Sequence, residues 1–430
     1  MSRSHDGAAA AAASHRAGPP VWILLDNNAF IDDMQNASTA TAWTSTGQPI
    51  RVTLAAAEPP RDSYFCVHCP CLKKRKHGDD NDDVFAWLSR PHPPSVVYSN
   101  GDLALLCVPL SPSPDHTTDY FIYRAGRRPS LRLLPGTYSG VEFVRHAPIG
   151  LVPVGGGDAD HFVLAALGYT KQTSHELHVF RSDRGTWTTT PLVLGTRARV
   201  DATKAIALGG GDIGWVDLRR CILVCDVLSD DDPNPRLVPL PKLFPCNLHD
   251  KRRRLSREYR DVVVGADGSI ACVEIEHCVR RVETRDVSTA DALYDSELTP
   301  GLDDDDAPPY TNLIVTWNRA ASSTCWRKRG LIHVDDIVDN DPGHTALLLP
   351  MAGGDGGQSL TVRHLAVTAQ VPSLSIHGGD VVYIMVKANQ SDKKIWMLAV
   401  DMAKKTLEEV APISAEESGC PSYISCALLY

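Results

Sequence analysis

The densest group of residues that could do chemistry is a run of cysteines near the N-terminus. Cys66, Cys69 and Cys71 form the pattern C-x-x-C-x-C, with His68 inside it and His77 six residues after Cys71. Thiolates and imidazoles at such spacing can hold zinc tetrahedrally. The same run also reads as the strand SYFCVHC, whose alternate side chains point to opposite faces. A zinc module, a redox pair of thiols and buried strand cysteines are therefore all open, and no metal ligand is assigned.

Glycine-rich and acidic runs come next. Gly155–Asp158 and Gly209–Asp212 both read GGGD, and Gly353–Gly357 reads GGDGG. A phosphate cradle needs its glycines to run into a helix N-terminus, but the first two segments run into apolar strand-like stretches, so they are predicted turns. The acidic runs Asp79–Asp83 and Asp303–Asp306 lack the spaced oxygens, glycine and distal glutamate of an EF-hand loop. We predict that they are solvated loops.

Two basic clusters have several readings. Lys251–Arg257 (KRRRLSR) is a nuclear-import signal, a phosphorylation site at Ser256 or a solvated loop, and Lys73–Lys76 (KKRK) is a weaker candidate. Neither cluster is interleaved with aromatic residues, so nucleic-acid binding is not predicted. The motif G-x-S-x-G is absent, and no spacing singles out a carboxylate pair or a histidine base. The sequence therefore assigns no catalytic, cofactor-binding or metal-binding residue.

Composition limits the compartment and the partners. The chain has 430 residues and a formal net charge of −9, which argues against a general binder of nucleic acid or anionic membranes. Residues 1–20 form an alanine-rich tail that we expect to be disordered, without the apolar core of a secretory signal. Most of the twelve cysteines, including Cys107, Cys225 and Cys272, lie in apolar runs. We predict an intracellular protein, cytoplasmic or nuclear, with organelle import as the alternative and no membrane helix.

The elements that must position any site are short strands. Apolar runs rich in Val, Ile, Leu, Tyr and Trp alternate with turns of Gly, Pro, Asp and Asn. Three-strand groups recur about every 50 residues, a period typical of propeller blades. These groups cover Asp102–Pro135, Asp160–Val193, Gly211–Pro241, Asp261–Arg329 and Asp380–Val410. Residues 21–72 supply further strands for a first blade or for the completion of the last one.

The fold prediction is therefore all-β: one β-propeller-like domain over residues 21–430 with about six degenerate blades. A two-domain β-rich arrangement is the alternative. The blade with the clearest pattern, HVFRSDRGTWTTTPL, is similar to kelch-like blades.

Several phrases resemble a plant family known as domain of unknown function 1618, or DUF1618. The strongest are Gly214–Leu228 (GWVDLRRCILVCDVL) and Leu237–Asn247 (LVPLPKLFPCN), followed in order by Arg260–Val264 and Ile270–Glu276. The resemblance extends over most of residues 21–430, with its recognisable core at about 214–350. It implies a plant protein, and it brings no activity, cofactor or catalytic residue with it.

The predicted function is a non-enzymatic scaffold that binds a protein partner, by analogy with the wide loop-lined faces of propellers. A carbohydrate-active or other hydrolase in the central cleft is one alternative, and a zinc module at Cys66–Cys71 is another. Facing carboxylates in a funnel would favour the enzyme, whereas exposed Trp, Tyr and Arg on one face would favour the partner.

Overall fold

In the structure, a computed structural model, most of the described residues lie in strands. The described residues are 22–72, 93–110, 118–135, 148–155, 161–169, 175–194, 199–230, 232–248, 255–276, 278–279, 310–311, 313–320, 323–344, 370–376, 380–387, 395–413 and 423–426. They form six sheets that are arranged as a six-bladed β-propeller. The prediction of about six blades is confirmed.

Blade one is assembled from both ends of the chain. Its strands are β1 (Ile23–Asp26), β2 (Phe30–Ile31), β3 (Ala40–Trp43), β4 (Pro49–Ala55), β5 (Asp62–His68) and β28 (Tyr423–Cys426). The C-terminal strand β28 pairs antiparallel with β1 in register, from Ile23 opposite Cys426 to Asp26 opposite Tyr423. Because β28 is also the innermost strand, this pairing closes the ring. The prediction left open whether residues 21–72 form a first blade or complete the last one, and they form the first.

Blades two to four are regular antiparallel sheets of four strands each. Blade two contains β6 (Ser95–Asn100), β7 (Leu103–Pro109), β8 (Thr118–Arg124) and β9 (Ser130–Leu133). Blade three contains β10 (Ile149–Val154), β11 (His161–Tyr169), β12 (His175–Arg181) and β13 (Thr186–Leu192). Blade four contains β14 (Lys204–Gly209), β15 (Asp212–Asp217), β16 (Cys221–Asp226) and β17 (Arg236–Pro239), followed by the short helix α1 (Pro245–Leu248).

Blades five and six complete the ring. Blade five contains β18 (Arg260–Val264), β19 (Ile270–Ile275), β22 (Leu313–Arg319) and β23 (Arg327–His333). A separate two-stranded ribbon, β20 (Cys278–Val279) with β21 (Tyr310–Thr311), lies between β19 and β22 in sequence. Blade six contains β24 (Gln370–Leu374), β25 (Val381–Lys387), β26 (Ile395–Asp401) and β27 (Thr406–Ile413). Short 3-10 turns occur at Ser256–Glu258 and Val334–Asp336.

The hydrophobic core is a ring of contacts between neighbouring blades. One buried cluster joins blades two to four around Trp215, and another joins blades four and five around Ile222. Further clusters join blades five and six, six and one, and one and two. Each fully buried large apolar side chain contributes roughly 1.5–3 kcal/mol relative to an exposed one. The blades therefore stabilise one another rather than folding as separate units.

The two ends of the ring are built differently. We call one end the short-turn face, because in blades two to six it carries the turns after each first and third strand, such as residues 101–102, 182–185, 210–211, 265–269 and 402–405. We call the other end the long-loop face, because it carries the connections between blades, such as residues 193–203 and 240–259. In blade one, the end of β5 and the turn between β3 and β4 lie on the long-loop face, where Ser45 N donates a hydrogen bond to Asp119 Oδ2 at 2.7 Å.

Candidate functional site

The predicted cysteine site does not assemble as a metal centre in the described part of the chain. Cys66 is buried within β5, whereas Cys69, Pro70, Cys71 and Leu72 form a turn closed by a 2.9 Å hydrogen bond from Leu72 N to Cys69 O. No group of three or more His, Cys, Asp or Glu among the described residues is placed to hold a metal ion. The turn does bring two thiols together, because the Cys69 thiol is close enough to Cys71 to raise its pKa. His77 lies outside the described residues.

The glycine and acidic runs are turns wherever the structure describes them. Gly209, Gly210 and Gly211 link β14 to β15 with positive φ values of 86°, 61° and 97°, which confirms the turn prediction for this segment. Gly155 also has a positive φ, of 94°. Residues 156–158, the run Gly353–Gly357 and the acidic runs Asp79–Asp83 and Asp303–Asp306 lie outside the described residues.

The basic cluster Lys251–Arg257 is described only in its last three residues. Ser256 begins a 3-10 turn and Arg257 is exposed on the long-loop face. Lys73–Lys76 lies outside the described residues. Elsewhere, Cys246 of α1 is disulfide-bonded, a feature that the predicted reducing compartment does not anticipate.

A cluster of aromatic and basic side chains occupies the long-loop face between blades three and four. We call it the Tyr169 cluster, and its members are Tyr169, His175, Arg199, Asp217, Arg219 and Arg220. Tyr169 ends β11 and His175 begins β12, and the two residues are directly opposite each other in the sheet. Their rings meet edge to face with centroids 5.1 Å apart. Val193, which follows the last strand of blade three at the same edge of the sheet, is 87% exposed.

Arg199 and its loop cover the two rings. The Arg199 guanidinium carbon lies 4.3 Å from the Tyr169 ring centroid, which is a cation–π contact. The Tyr169 hydroxyl donates a hydrogen bond to Val200 O, and Val200 N donates one to His175 Nε2 at 3.1 Å. Because His175 accepts through Nε2, its ring is neutral. Burial and the nearby Arg199 charge lower the pKa of His175, which keeps the imidazole ring neutral.

Asp217, in blade four, holds the loops of the Tyr169 cluster in place. Its side chain is buried and accepts backbone hydrogen bonds from Asp201 N at 3.2 Å and Arg219 N at 3.1 Å. The Arg220 Nε donates to Asp217 Oδ2 at 2.8 Å, and its Nη2 donates to the Arg199 carbonyl. One buried carboxylate therefore holds the two loops that present the arginines. Such a fixed arrangement lowers the entropy cost of binding.

The charge of the Tyr169 cluster is directed outward. Arg199, Arg219 and Arg220 are exposed and Tyr169 is half-buried. Arg219 forms no side-chain ion pair within the described part of the chain. Burial raises the pKa of Tyr169, while the Arg199 charge opposes that shift, so the phenol stays protonated at neutral pH. The cluster thus presents the guanidinium groups of Arg199 and Arg219 to an anionic ligand, beside the Arg220 group that is paired with Asp217.

The buried carboxylates of the molecule are placed differently. Asp26, at the end of β1, is 1% exposed, and its Oδ1 accepts hydrogen bonds from Asn28 N and Nδ2. Burial raises the pKa of Asp26 to about 7, with a smaller contribution from Asp62. Glu274, in blade five, is fully buried, and burial raises its pKa as well. Neither Asp26 nor Glu274 opens into a funnel that a substrate could enter.

Sequence reasoning missed the Tyr169 cluster for a physical reason. Tyr169 and His175 flank an undescribed hairpin connection, and Arg199, Asp217 and Arg220 come from two further segments. None of these residues forms a motif by spacing. The one available signal was the polar turn Asp217–Arg220, which follows a buried strand and carries adjacent arginines.

Comparison with known protein families supports the predicted family over part of the chain. The architecture defines the class, a six-bladed β-propeller with a preorganised surface cluster. Residues 215–383 match the model of the family described as "Protein of unknown function (DUF1618)". The chain therefore contains a DUF1618 region, and the resemblance seen in the sequence is confirmed there. No curated protein matches the chain.

Solved structures that cover most of this chain share little of its sequence. A mutant of AofleA from Arthrobotrys oligospora covers 95% of this chain and 90% of its own, with 8% identity and a TM-score of 0.37. A mutant apocarotenoid oxygenase from Synechocystis covers 91% and 80%, with 8% identity and a TM-score of 0.32. A polysaccharide lyase of family PL25, an ulvan lyase, covers 92% and 86%, with 9% identity and a TM-score of 0.34.

Among the described residues, no helix has the length and apolar character needed to span a bilayer.

Proposed function

We propose that this protein is a non-enzymatic interaction scaffold that binds an acidic segment of a protein partner at the Tyr169 cluster. The single observation that carries the proposal is the outward set of three arginines beside a tyrosine, held by the buried carboxylate of Asp217. Tyrosine and arginine are the residue types enriched among the dominant contacts of protein interfaces. The acidic segment supplies carboxylates to Arg199 and Arg219, whereas Arg220 is already paired with Asp217.

The arrangement favours a protein partner in two further respects. The exposed Val193 offers apolar surface at the edge of the cluster, as a partner with mixed acidic and apolar residues would require. Asp217 and the Arg199 carbonyl already orient Arg220, so less side-chain entropy is lost on binding. The chain's net charge of −9 disfavours nucleic acid, because the field far from the cluster repels phosphates.

The hydrolase alternative finds less support. A glycosidase needs two carboxyl groups that flank a bound substrate. Asp26 and Glu274 are 1% and 0% exposed, and their hydrogen-bond partners Asn28 and Asn247 belong to the protein interior or its immediate edge. Asp26 and Glu274 thus fit structural roles better than catalytic ones.

The proposal includes an intracellular location, cytoplasmic or nuclear. It is supported by eight cysteines that remain free thiols in the described residues. The disulfide at Cys246 weighs against a uniformly reduced chain. Imaging of a tagged full-length protein in its native tissue tests this part independently of binding.

The test of partner binding uses two matched charge reversals. The variant R199E/R219E inverts the cluster, whereas R127E/R128E changes two exposed arginines of the β8–β9 turn on the short-turn face by the same charge. Affinity purification with each full-length protein, followed by quantitative mass spectrometry, should enrich a partner with wild type and R127E/R128E but not with R199E/R219E. An acidic peptide from that partner should then bind with at least about tenfold lower affinity to R199E/R219E, as expected for the loss of about 1.4 kcal/mol.

Two results would contradict the proposal. One is equal recovery of every partner with both charge-reversal variants. The other is tighter binding of a single-stranded RNA than of the acidic peptide to the wild-type cluster in the same buffer. Both variants must first show the wild-type unfolding midpoint, since a loss of fold would abolish binding for an unrelated reason.

A further inference from the structure

The turn Cys69–Leu72 brings together two thiols that the proposed binding function does not use. Pro70 occupies the second position of this turn, where its fixed φ is preorganised. The turn is closed by the Leu72 N to Cys69 O hydrogen bond of 2.9 Å. The Cys69 thiol is close enough to Cys71 to raise its pKa, and Cys69 is 3% exposed whereas Cys71 is half-buried.

Cys66 lies inside the strand β5, before the turn that holds the other two cysteines. It lies within β5, opposite Thr53 on one neighbouring strand and Phe30 on the other, and it is buried. Two residues of a tight turn have Cα atoms close enough for a disulfide, whose Cα atoms are about 4.4–6.8 Å apart. The Cys69–Cys71 pair therefore combines the proximity of a tight turn with access to solvent through Cys71.

We propose that Cys69 and Cys71 form a reversible intramolecular disulfide when the protein meets a low-molecular-weight disulfide such as glutathione disulfide. The Cys71 thiolate attacks one sulfur of glutathione disulfide, forms a mixed disulfide and expels one glutathione thiolate, which takes up a proton. The Cys69 thiolate then attacks the Cys71 sulfur and expels the second glutathione. Two protein thiols are oxidised and one glutathione disulfide is reduced to two glutathione molecules.

The surroundings of the pair determine its kinetics and its equilibrium. Burial, together with smaller contributions from the Cys69 thiol and the Asp119 carboxylate, raises the pKa of Cys71 to about 12. Thiolate is scarce at neutral pH, so the reaction is slow there and accelerates as pH rises. Because the protonated thiols and the disulfide are both uncharged, burial does not oppose the cross-link. The pair is thus a slowly formed cross-link at the end of β5, not a fast redox catalyst.

The test is peptide mapping of the full-length protein after incubation with glutathione disulfide at pH 8.5 and quenching in acid with a thiol-blocking reagent. The exposed Cys325 serves as an internal control, because it should carry glutathione and show that the oxidant is active. The peptide with Cys66, Cys69 and Cys71 should lose two hydrogen atoms, retain no glutathione and show the link between Cys69 and Cys71. Dithiothreitol should restore both thiols.

Two variants sharpen the result. C69S should accumulate glutathione on Cys71, because the resolving thiol is absent, whereas C66S should form the link as wild type does. The proposal is overturned if glutathione persists on Cys71 in the wild-type protein, if the link includes Cys66, or if Cys325 reacts while Cys69 and Cys71 remain reduced. The wild-type map alone decides the matter, so impaired folding of a variant does not obscure it.

Discussion

The two faces of the propeller are held by different physical means. On the short-turn face, glycines with positive φ and aspartates that accept nearby backbone N–H groups close each turn locally, as at Gly268 and Asp267. On the long-loop face, buried charges tie together segments that are far apart in sequence, as Arg260 does with Leu218 O and Pro241 O. One face depends on backbone geometry, and the other depends on desolvated side chains. A substitution that removes such a contact should therefore lower the free energy of unfolding more on the long-loop face than on the short-turn face.

The largest effect is expected at Arg260, which is fully buried on the long-loop side of blades four and five. Its Nη1 and Nη2 donate to Leu218 O at 3.0 Å and Pro241 O at 2.6 Å, and its Nε lies 3.7 Å from Glu274 Oε2. R260L leaves two carbonyls unsatisfied and a buried carboxylate unpaired. We expect a loss of about 3–5 kcal/mol in the free energy of unfolding, measured by urea denaturation.

The exposed Arg257 provides the matched control for this change. R257L removes the same charge three residues earlier and should alter the free energy of unfolding by less than about 0.5 kcal/mol. Equal losses in R260L and R257L would mean that the buried charge does not tie the long-loop face together.

The second effect is a pH dependence at Asp26, which ends β1 beside the ring-closing strand β28. The groups that influence its carboxyl are Asn28 and Asp62. Because its pKa is raised to about 7 in the fold, the folded protein holds a proton that the unfolded chain releases. The stabilisation is complete below the unfolded pKa near 4 and is lost as pH rises through about 7.

We expect D26N to remove this dependence. Relative to wild type, D26N should gain about 2–3 kcal/mol of stability as pH rises from 5 to 8, since the window from pH 5 to the folded pKa of about 7 spans about two units and one unit is equivalent to about 1.4 kcal/mol. Urea midpoints at both pH values test this. A wild-type minus D26N difference that is constant across the range would show that Asp26 does not titrate in this window.

The third prediction compares an aspartate from each face. Asp217 is 2% exposed and holds two loops of the long-loop face, whereas Asp267 is exposed and closes one turn of the short-turn face. D217A should cost about 2–3 kcal/mol, because buried N–H groups and Arg220 lose their acceptor. D267A should cost about 1 kcal/mol or less, since water can replace the carboxylate. If chemical denaturation shows a larger loss of stability for D267A than for D217A, the two faces do not differ in this way.

The smallest effect is expected at Gly268, where φ is +75° and a Cβ atom would meet nothing within 4 Å. The cost of G268A is therefore conformational only, about 1–2 kcal/mol. G268N should cost less, because asparagine tolerates the left-handed region. If both variants lose the same stability, the positive φ is not what fixes this turn.

The sequence predicted the blades because their outer three strands follow local rules. The groups near Asp102, Asp160 and Gly211 have apolar runs bounded by turn residues, and the observed strands β7, β11 and β15 begin within one residue of those positions. The first strand of several blades was not recognised. Strands β6 and β14 read SVVYSN and KAIALG, which have only short apolar runs, and they are defined by their pairing with β7 and β15.

The sequence alone determined the all-β class, the blade period, the turn glycines of Gly209–Gly211 and the DUF1618 resemblance, because each depends on residues close together in the chain. The tertiary structure decided the ring closure by β28, the contact of Cys69 with Cys71 and the Tyr169 cluster. Those features join segments from different blades, or depend on how a strand ends. Burial, charge pairing and the direction of side chains at such junctions exist only once the ring has closed.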